Sequence, residues 1–319
     1  MGRFAGMAFL TGAFALAGTS VVAGRLVVET LGTFTITVMS LFFALVGLLP
    51  LCGSKLAKHV RQIGYGDWLL LGIQALFGIF LFRLLLLQGL LRTSAGEAGI
   101  LTGVTPAATA LLAWLLLREP LDWFRGLGII STITGIVVLQ GFFSPDIIFS
   151  QEHLLGNVLV LSAALCESIF NVISRVSSVE FVWHSEQVLD PASQSTLVVS
   201  IALLLCLGPA LAEQPLLALW SLDIIGWAAL VWYGLFVTAL AFIFWYAGIK
   251  RCAVSVAAAF SGMMPFTALL MSVLLLHEQP GWQQWLGGFL VVLGMVLTGI
   301  KASSLQPEST GEVAGQTET

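Results

Sequence analysis

A block of this sequence between Gly89 and Leu127 returns, without a gap, 159 positions later. Gly89, Arg92, Ala98, Gly103, Pro106, Leu111, Leu115, Leu116, Leu117, Glu119, Trp123 and Leu127 are matched by Gly248, Arg251, Ala257, Gly262, Pro265, Leu270, Leu274, Leu275, Leu276, Glu278, Trp282 and Leu286. Leucine matches mean little in an apolar chain. The Gly, Pro, Glu and Trp matches at one fixed offset carry the argument. A weaker echo at an offset of 150 sets Gly18–Arg25 against Ser168–Arg175, and unequal loops account for the change of offset. A chain built twice from one unit folds as two similar bodies about a shared interface. In membranes such interfaces commonly hold a solute path.

The solvent of this chain is lipid. Of its 319 residues 58% are hydrophobic and 9% charged, and the mean hydropathy is +0.99. A soluble domain has about 25% charged residues, so too little polar surface exists here to cover a water-soluble globule. A crossing helix needs about 20 mostly apolar residues. Ten segments meet that need: 4–24, 31–51, 67–88, 95–117, 123–142, 155–175, 194–212, 224–246, 253–276 and 282–301. The first follows Arg3 and reads as a retained signal-anchor helix. Residues 303–319 are polar and without apolar periodicity, which predicts a disordered tail. The net charge of −4 argues against a nucleic-acid partner. Cys52, Cys166, Cys206 and Cys252 are scattered and form no CxxC pair, so they read as small packing residues.

Lysine and arginine set the orientation. With a cytoplasmic N-terminus, Arg3, Lys55, Lys58, Arg61, Arg118, Arg125, Arg175, Lys250, Arg251 and Lys301 fall on the cytoplasmic side, and only Arg25 and Arg92 on the other. That bias predicts cytoplasmic termini and an even number of spans. Five spans per unit is odd, so the second unit enters the membrane from the opposite side. The fold class expected is an all-α polytopic membrane protein of ten transmembrane helices arranged as two inverted five-helix repeats. The first covers 1–146, the second 147–302, with the cytoplasmic tail at 303–319.

These features resemble the drug/metabolite transporter superfamily in its ten-helix EamA-like branch. The likeness is carried by Thr93–Leu101, Pro106 and Ala113–Pro120 in the first unit, and by Ser255–Phe260, Pro265 and Leu274–Glu278 in the second. It extends over about residues 4–301. It implies a transporter of the cytoplasmic (inner) membrane of a bacterium, without a cofactor, and it implies export. It leaves the substrate open among amino acids, sugars, nucleotide derivatives, quaternary amines and opine-like chelators. Arg83, Glu97 and Glu167 depart from the commonest pattern of that family.

Charge inside a span costs about 2.5–3.5 kcal/mol at the bilayer centre, so such residues face a cavity or a partner. Glu167 lies near the middle of its span, with Asn171 one turn on and Ser168 and Ser174 nearby. It reads as a substrate-amine ligand or proton-coupling carboxylate, or as a neutral acid bonded between helices. Arg83 and Glu97 sit in consecutive spans at similar depth and are able to touch. They read as a structural ion pair, or as a clamp in which Arg83 takes a substrate carboxylate and Glu97 holds an ammonium or orients Arg83. Their repeat partners, Phe242 and Val256, are apolar. Of the aromatic residues, Trp232 and Tyr233 lie deep enough to line a cavity. Trp245 and Tyr246 read as interfacial belt residues. Pro106 and Pro265 interrupt their spans and serve as hinges or fixed kinks. Gly99 with Gly103, and Ala258 with Gly262, form small-residue stripes for helix packing. They favour internal packing over dimerisation, and monomer and homodimer both stand. Glu119 and Glu278 end their helices, where a capping or interfacial role is expected.

No HExxH, GxxxxGK[ST], GxSxG or His/Cys cluster occurs, and His59, His153, His184 and His277 lie in connections or at helix ends. An ATP-driven pump is therefore not encoded here, no metal site is expected, and a polytopic enzyme is the weakest reading. The leading expectation is secondary active export of a zwitterionic amino acid or amino-acid-derived metabolite by alternating access, driven by protons or by the substrate gradient. The alternative is an importer or facilitator of a cationic amine or nucleobase.

Overall fold

The structure, a computed structural model, describes residues 2–117, 123–139, 151–179, 190–249, 251, 260 and 263–300. Every regular element among them is helical. A bilayer offers no hydrogen bonds, so each crossing segment satisfies its own backbone.

The first half begins with α1 (Gly2–Gly18) and α2 (Ser20–Arg25), separated at Thr19. Next comes α3 (Thr33–Gln62), with Pro50 inside it. Then α4 (Tyr65–Ala75), a π-helical stretch Leu76–Leu81 and α5 (Phe82–Leu90) form one rod. They are followed by α6 (Ala95–Thr102), α7 (Thr105–Leu117) and α8 (Trp123–Leu139). The second half has α9 (Gln151–Val179), α10 (Pro191–Ala212) with Pro209 inside it, and the short α11 (Pro215–Trp220). A second rod joins α12 (Ile224–Trp232), π-helical Tyr233–Leu240 and α13 (Ala241–Ile249). The described part ends with α14 (Met263–Leu276) and α15 (Trp282–Ile300).

Among the described residues six stretches are long and apolar enough to cross a membrane: Phe4–Arg25, Thr33–Cys52, Tyr65–Leu90, Gln151–Ser174, Ala192–Ala212 and Ile224–Gly248. Gly126–Val138, Met263–Leu276 and Trp282–Leu297 are shorter apolar helices. Two details differ from the hydropathy reading. The helix expected to end at 51 continues to Gln62, because Lys and Gly after Cys52 end the apolar run without ending the helix. The span expected over 95–117 is divided between α6 and α7. Ala258, Gly262 and the tail at 303–319 lie outside the described residues.

The interior is more polar than the exterior. Thr35, Thr37, Ser40, Gln74, Ser193 and Thr196 are buried, whereas Trp220 is 88%, Ile224 85% and Phe4 78% exposed. A surface of that kind suits hydrocarbon rather than water.

The packing pairs repeat when the halves are exchanged. Helix α1 lies along α13 as α5 lies along α9, and α3 meets Tyr233–Leu240 as α10 meets Leu76–Leu81. Helix α7 rests on α9 as α14 rests on α1. The pairs α8 with α15 and α3 with α10 join equivalent helices. Local details follow the same offsets. Pro50 and Pro209 are 159 apart, and Leu76–Leu81 displaced by 159 falls inside Tyr233–Leu240. The Ser168 hydroxyl donates to the Thr105 carbonyl at 3.0 Å. At the equivalent crossing Gly18 lies against the Met264 carbonyl so closely that a Cβ would have no room. The stripe in α6 packs within the fold, with Gly99 against Ala268 and Gly103 against Val291 and Pro265.

Candidate functional site

The break between α6 and α7 organises the middle of the bundle. Gly103 and Val104 close a tight turn through bonds to the Ile100 and Leu101 carbonyls. Pro106 follows in the first turn of α7, where a missing N–H leaves nothing unsatisfied. Pro265 holds the equivalent position in α14. Glu167, half-buried on α9, reaches this break, and its Oε2 lies 2.9 Å from the Thr105 hydroxyl. That hydroxyl is also 2.8 Å from the Thr102 carbonyl. A hydroxyl has one hydrogen and a carbonyl can only accept. If the hydrogen goes to the carbonyl, a full set of bonds requires a proton on Glu167. Asn171, half-buried, lies one turn further along α9.

Arg83 forms a second centre, on α5 directly after the first π-helical stretch. It is 5% exposed. Its two terminal nitrogens donate to Ser40 Oγ on α3 and Thr238 Oγ1 in the second π-helical stretch. Those hydroxyls donate onward to the Thr37 and Tyr233 carbonyls, so their lone pairs are turned to the cation. The guanidinium lies 4.3 Å from the centre of the Tyr233 ring, a cation–π geometry. Among the described residues Arg83 makes no ion pair with a carboxylate. The Tyr233 hydroxyl is buried without a partner among them. Trp232, next in sequence, is 39% exposed, donates its indole N–H to Thr19 at 2.9 Å and stacks on Phe236. Tyr246, expected in an interfacial belt, is 2% exposed, and Trp245 packs edge-on against Phe14. Trp245 thus faces α1, and the Tyr246 ring tilts against Phe242.

Glu97 is not brought to Arg83. Its carboxylate accepts from Thr93 Oγ1 at 3.0 Å and from Gln284 Nε2 at 2.8 Å, and His153 Nε2 lies 2.8 Å away. Its amide donates to Ser94, the N-cap of α6. Beside it Glu278, at the end of α14, accepts the Ala95 and Gly96 amides at 2.8 Å each. Two carboxylates thus meet the positive end of α6. Glu213, at the end of α10, does the same for α3, accepting from the Phe34 and Thr35 amides at 3.0 and 2.7 Å. Among the described residues no three His, Cys, Asp or Glu side chains are grouped to hold a metal ion.

A family model for the EamA-like transporter family matches residues 4–140 and again 154–300. The chain belongs to the EamA-like transporter family. Similar proteins include an uncharacterized transporter, YetK, of Bacillus subtilis (strain 168), 29% identical over 300 residues that cover 94% of this chain and 88% of that protein. Another is the uncharacterized transporter sll0355 of Synechocystis, 31% identical over 287 residues, covering 86% of this chain and 83% of its own. A crystal structure at 20% identity superimposes with a TM-score of 0.61, covering 96% of this chain and 100% of its own, and shows the same fold.

This EamA member is a multi-pass membrane transporter. Several polar contacts of its bundle were not legible as site residues: Thr105, His153, Gln284, Glu213 and Gln74. Only Thr105, beside Pro106 in the repeated block, carried a signal. The others become neighbours of the site through contacts between helices far apart in sequence.

Proposed function

We propose that this EamA transporter is a secondary active exporter of a zwitterionic amino acid or amino-acid-derived metabolite, opine-like compounds included, working by alternating access in the bacterial inner membrane. The observation that carries the substrate class is Arg83. A guanidinium buried in the bundle, oriented by two hydroxyls and an aromatic face, makes no ion pair with a carboxylate among the described residues. A substrate carboxylate supplies that charge, whereas a cationic amine gives Arg83 no purpose. Tyr233, Trp232 and Asn171 line the path in this reading. Glu97 is bonded elsewhere and acts on α6 rather than as a partner of Arg83.

The scaffold is read as ten spans in two oppositely inserted units, 1–146 and 147–302, with cytoplasmic termini. The double family match and the exchangeable packing pairs support the duplication, and the lysine and arginine bias supports the opposed insertion. Pro106, at the start of α7, and its repeat counterpart Pro265 serve as hinges. Export follows from the family likeness alone.

Glu167 is the proton site, on the strength of its shared hydroxyl at Thr105. Purified protein in liposomes, offered single amino acids and opines, is expected to show flux that responds to an imposed pH gradient. Glu167→Gln should keep the bond to Thr105 and abolish the response. Flux in that variant with its pH dependence intact would remove Glu167 from coupling.

A further inference from the structure

Among the buried side chains with polar atoms that no described residue satisfies, two occupy the same place in the two halves. Gln74 and Tyr233 are separated by the repeat offset of 159. Gln74 is 0% and Tyr233 1% exposed. Neither Gln74 Nε2 nor the Tyr233 hydroxyl has a partner among the described residues. Gln74 stands two residues before the first π-helical stretch, and Tyr233 opens the second. Such stretches are uncommon and recur at functional sites.

The two positions differ mainly in charge. Tyr233 lies under the Arg83 guanidinium. Gln74 Oε1 accepts from Gln194 Nε2 on α10 at 3.3 Å, which leaves both amide hydrogens of Gln74 free. Each position therefore offers a donor inside the bundle. Leaving a buried donor unpaired is destabilising, and native structures rarely tolerate it. A donor retained in this state meets its acceptor in another part of the working cycle. Arg83, on the same rod, sets the class of that acceptor: an oxygen bearing negative charge.

We infer that Gln74, held by Gln194, is a second, uncharged station for the substrate's carboxylate. It lies nine residues from Arg83, or roughly 14 Å at 1.5 Å per residue, and on the other side of the middle of Tyr65–Leu90. The inference rests on the reading of Arg83 as the carboxylate clamp. Arg83 binds by charge and hydrogen bonding together, and the amide by hydrogen bonding alone. The weaker station lets the solute leave, as a conducting site must.

Cysteine labelling tests both stations without a known substrate. Ser40→Cys, Gln74→Cys and Leu71→Cys are made in a chain whose four native cysteines are alanine. Each is treated with methanethiosulfonates carrying either a sulfonate or a trimethylammonium group, in vesicles of both orientations. Leu71, 0% exposed and one turn before Gln74, is the packed control. The expected result is labelling of Ser40→Cys and Gln74→Cys at least tenfold faster than Leu71→Cys, with the anionic reagent favoured at Ser40→Cys. If Ser40→Cys shows that preference while Gln74→Cys reacts as slowly as the control, the second station is overturned and the Arg83 reading survives. If Ser40→Cys shows no preference, the Arg83 reading falls and takes the station with it. A second measurement uses the chain with its native cysteines. Replacing Gln74 and Gln194 together by Met removes the unpaired donor at similar volume without orphaning Gln194, and is expected to raise Tm by about 2 °C or more. A fall in Tm would make the Gln74–Gln194 bond structural and would overturn the proposal.

Discussion

Glu278 joins two helices through backbone amides, and its removal has a calculable cost. The carboxylate accepts the Ala95 and Gly96 N–H groups at 2.8 Å each, the first free donors of α6. A hydrogen bond to a charged group contributes about 1.5–3 kcal/mol, and losing a helix cap costs about 0.5–2 kcal/mol. The two bonds share one carboxylate and one helix end, so they do not add in full. A cavity of about 180 Å³ bordered by Ser94, Gly96 and Glu278 lets water reach the freed donors, which favours the lower part of the range. Glu278→Ala should therefore cost about 2 kcal/mol. At about 2–4 °C per kcal/mol, Tm falls by roughly 4–8 °C. Glu278→Gln keeps one oxygen and no charge, and should lose about half as much. Thermal unfolding of the purified protein in detergent, followed by tryptophan fluorescence, measures both. A change below 1 °C for Glu278→Ala would refute the cap as a structural tie. Equal losses for Gln and Ala would refute the assignment of the cost to these two bonds.

Arg83→Leu removes a buried cation whose partners, Ser40 and Thr238, keep their own bonds to carbonyls. Stability should hold or rise in unfolding assays, as when buried charges are replaced by apolar groups, while liposome flux is lost. A variant that unfolds early would return Arg83 to a structural role. Gly99→Leu drives a side chain into Ala268 and should cost about 1–3 kcal/mol by overpacking. Gly72→Ala meets nothing within 4 Å and should be neutral or add up to about 1 kcal/mol through helix propensity. Calorimetry of the pair compares close helix approach with glycine content. Trp232→Phe keeps a ring over Phe236 but loses the bond to Thr19, and should cost about 1 kcal/mol in chemical denaturation.

Much of the architecture was legible because lipid imposes a length and a composition on every crossing segment. The duplication was legible because Gly, Pro, Glu and Trp recur at one offset. What hydropathy hides is direction around a helix. Arg83 and Glu97, expected at one depth, face different neighbours, one toward Ser40 and Thr238, the other toward His153 and Gln284. The break after Thr102 was hidden too, since Ala95–Leu117 is one apolar run whose division depends on the turn at Gly103 and on Ser168 from another helix. Glu278 was readable as an acid at a helix end. That it caps α6 rather than its own helix depends on α6 lying beside α14.

The packing pairs are symmetric under exchange of the halves, and the chemistry is not. Arg83 corresponds to Phe242 and Gln74 to Tyr233, while Gly18 and Ser168 meet equivalent carbonyls by different means. These two facts have separate causes. A carrier that exchanges two conformations of nearly equal energy needs interfaces that repack in either sense, and a duplicated set of helix contacts supplies that degeneracy. A solute with a carboxylate at one end needs its binding groups placed once, in one direction. Divergence is therefore expected at side chains that face the path and constraint at glycines and prolines that set helix approach. If equalising the path by Phe242→Arg left flux unchanged while Gly99→Leu abolished it, this division of labour would hold only for the scaffold. The lone cation would then need another explanation than substrate recognition.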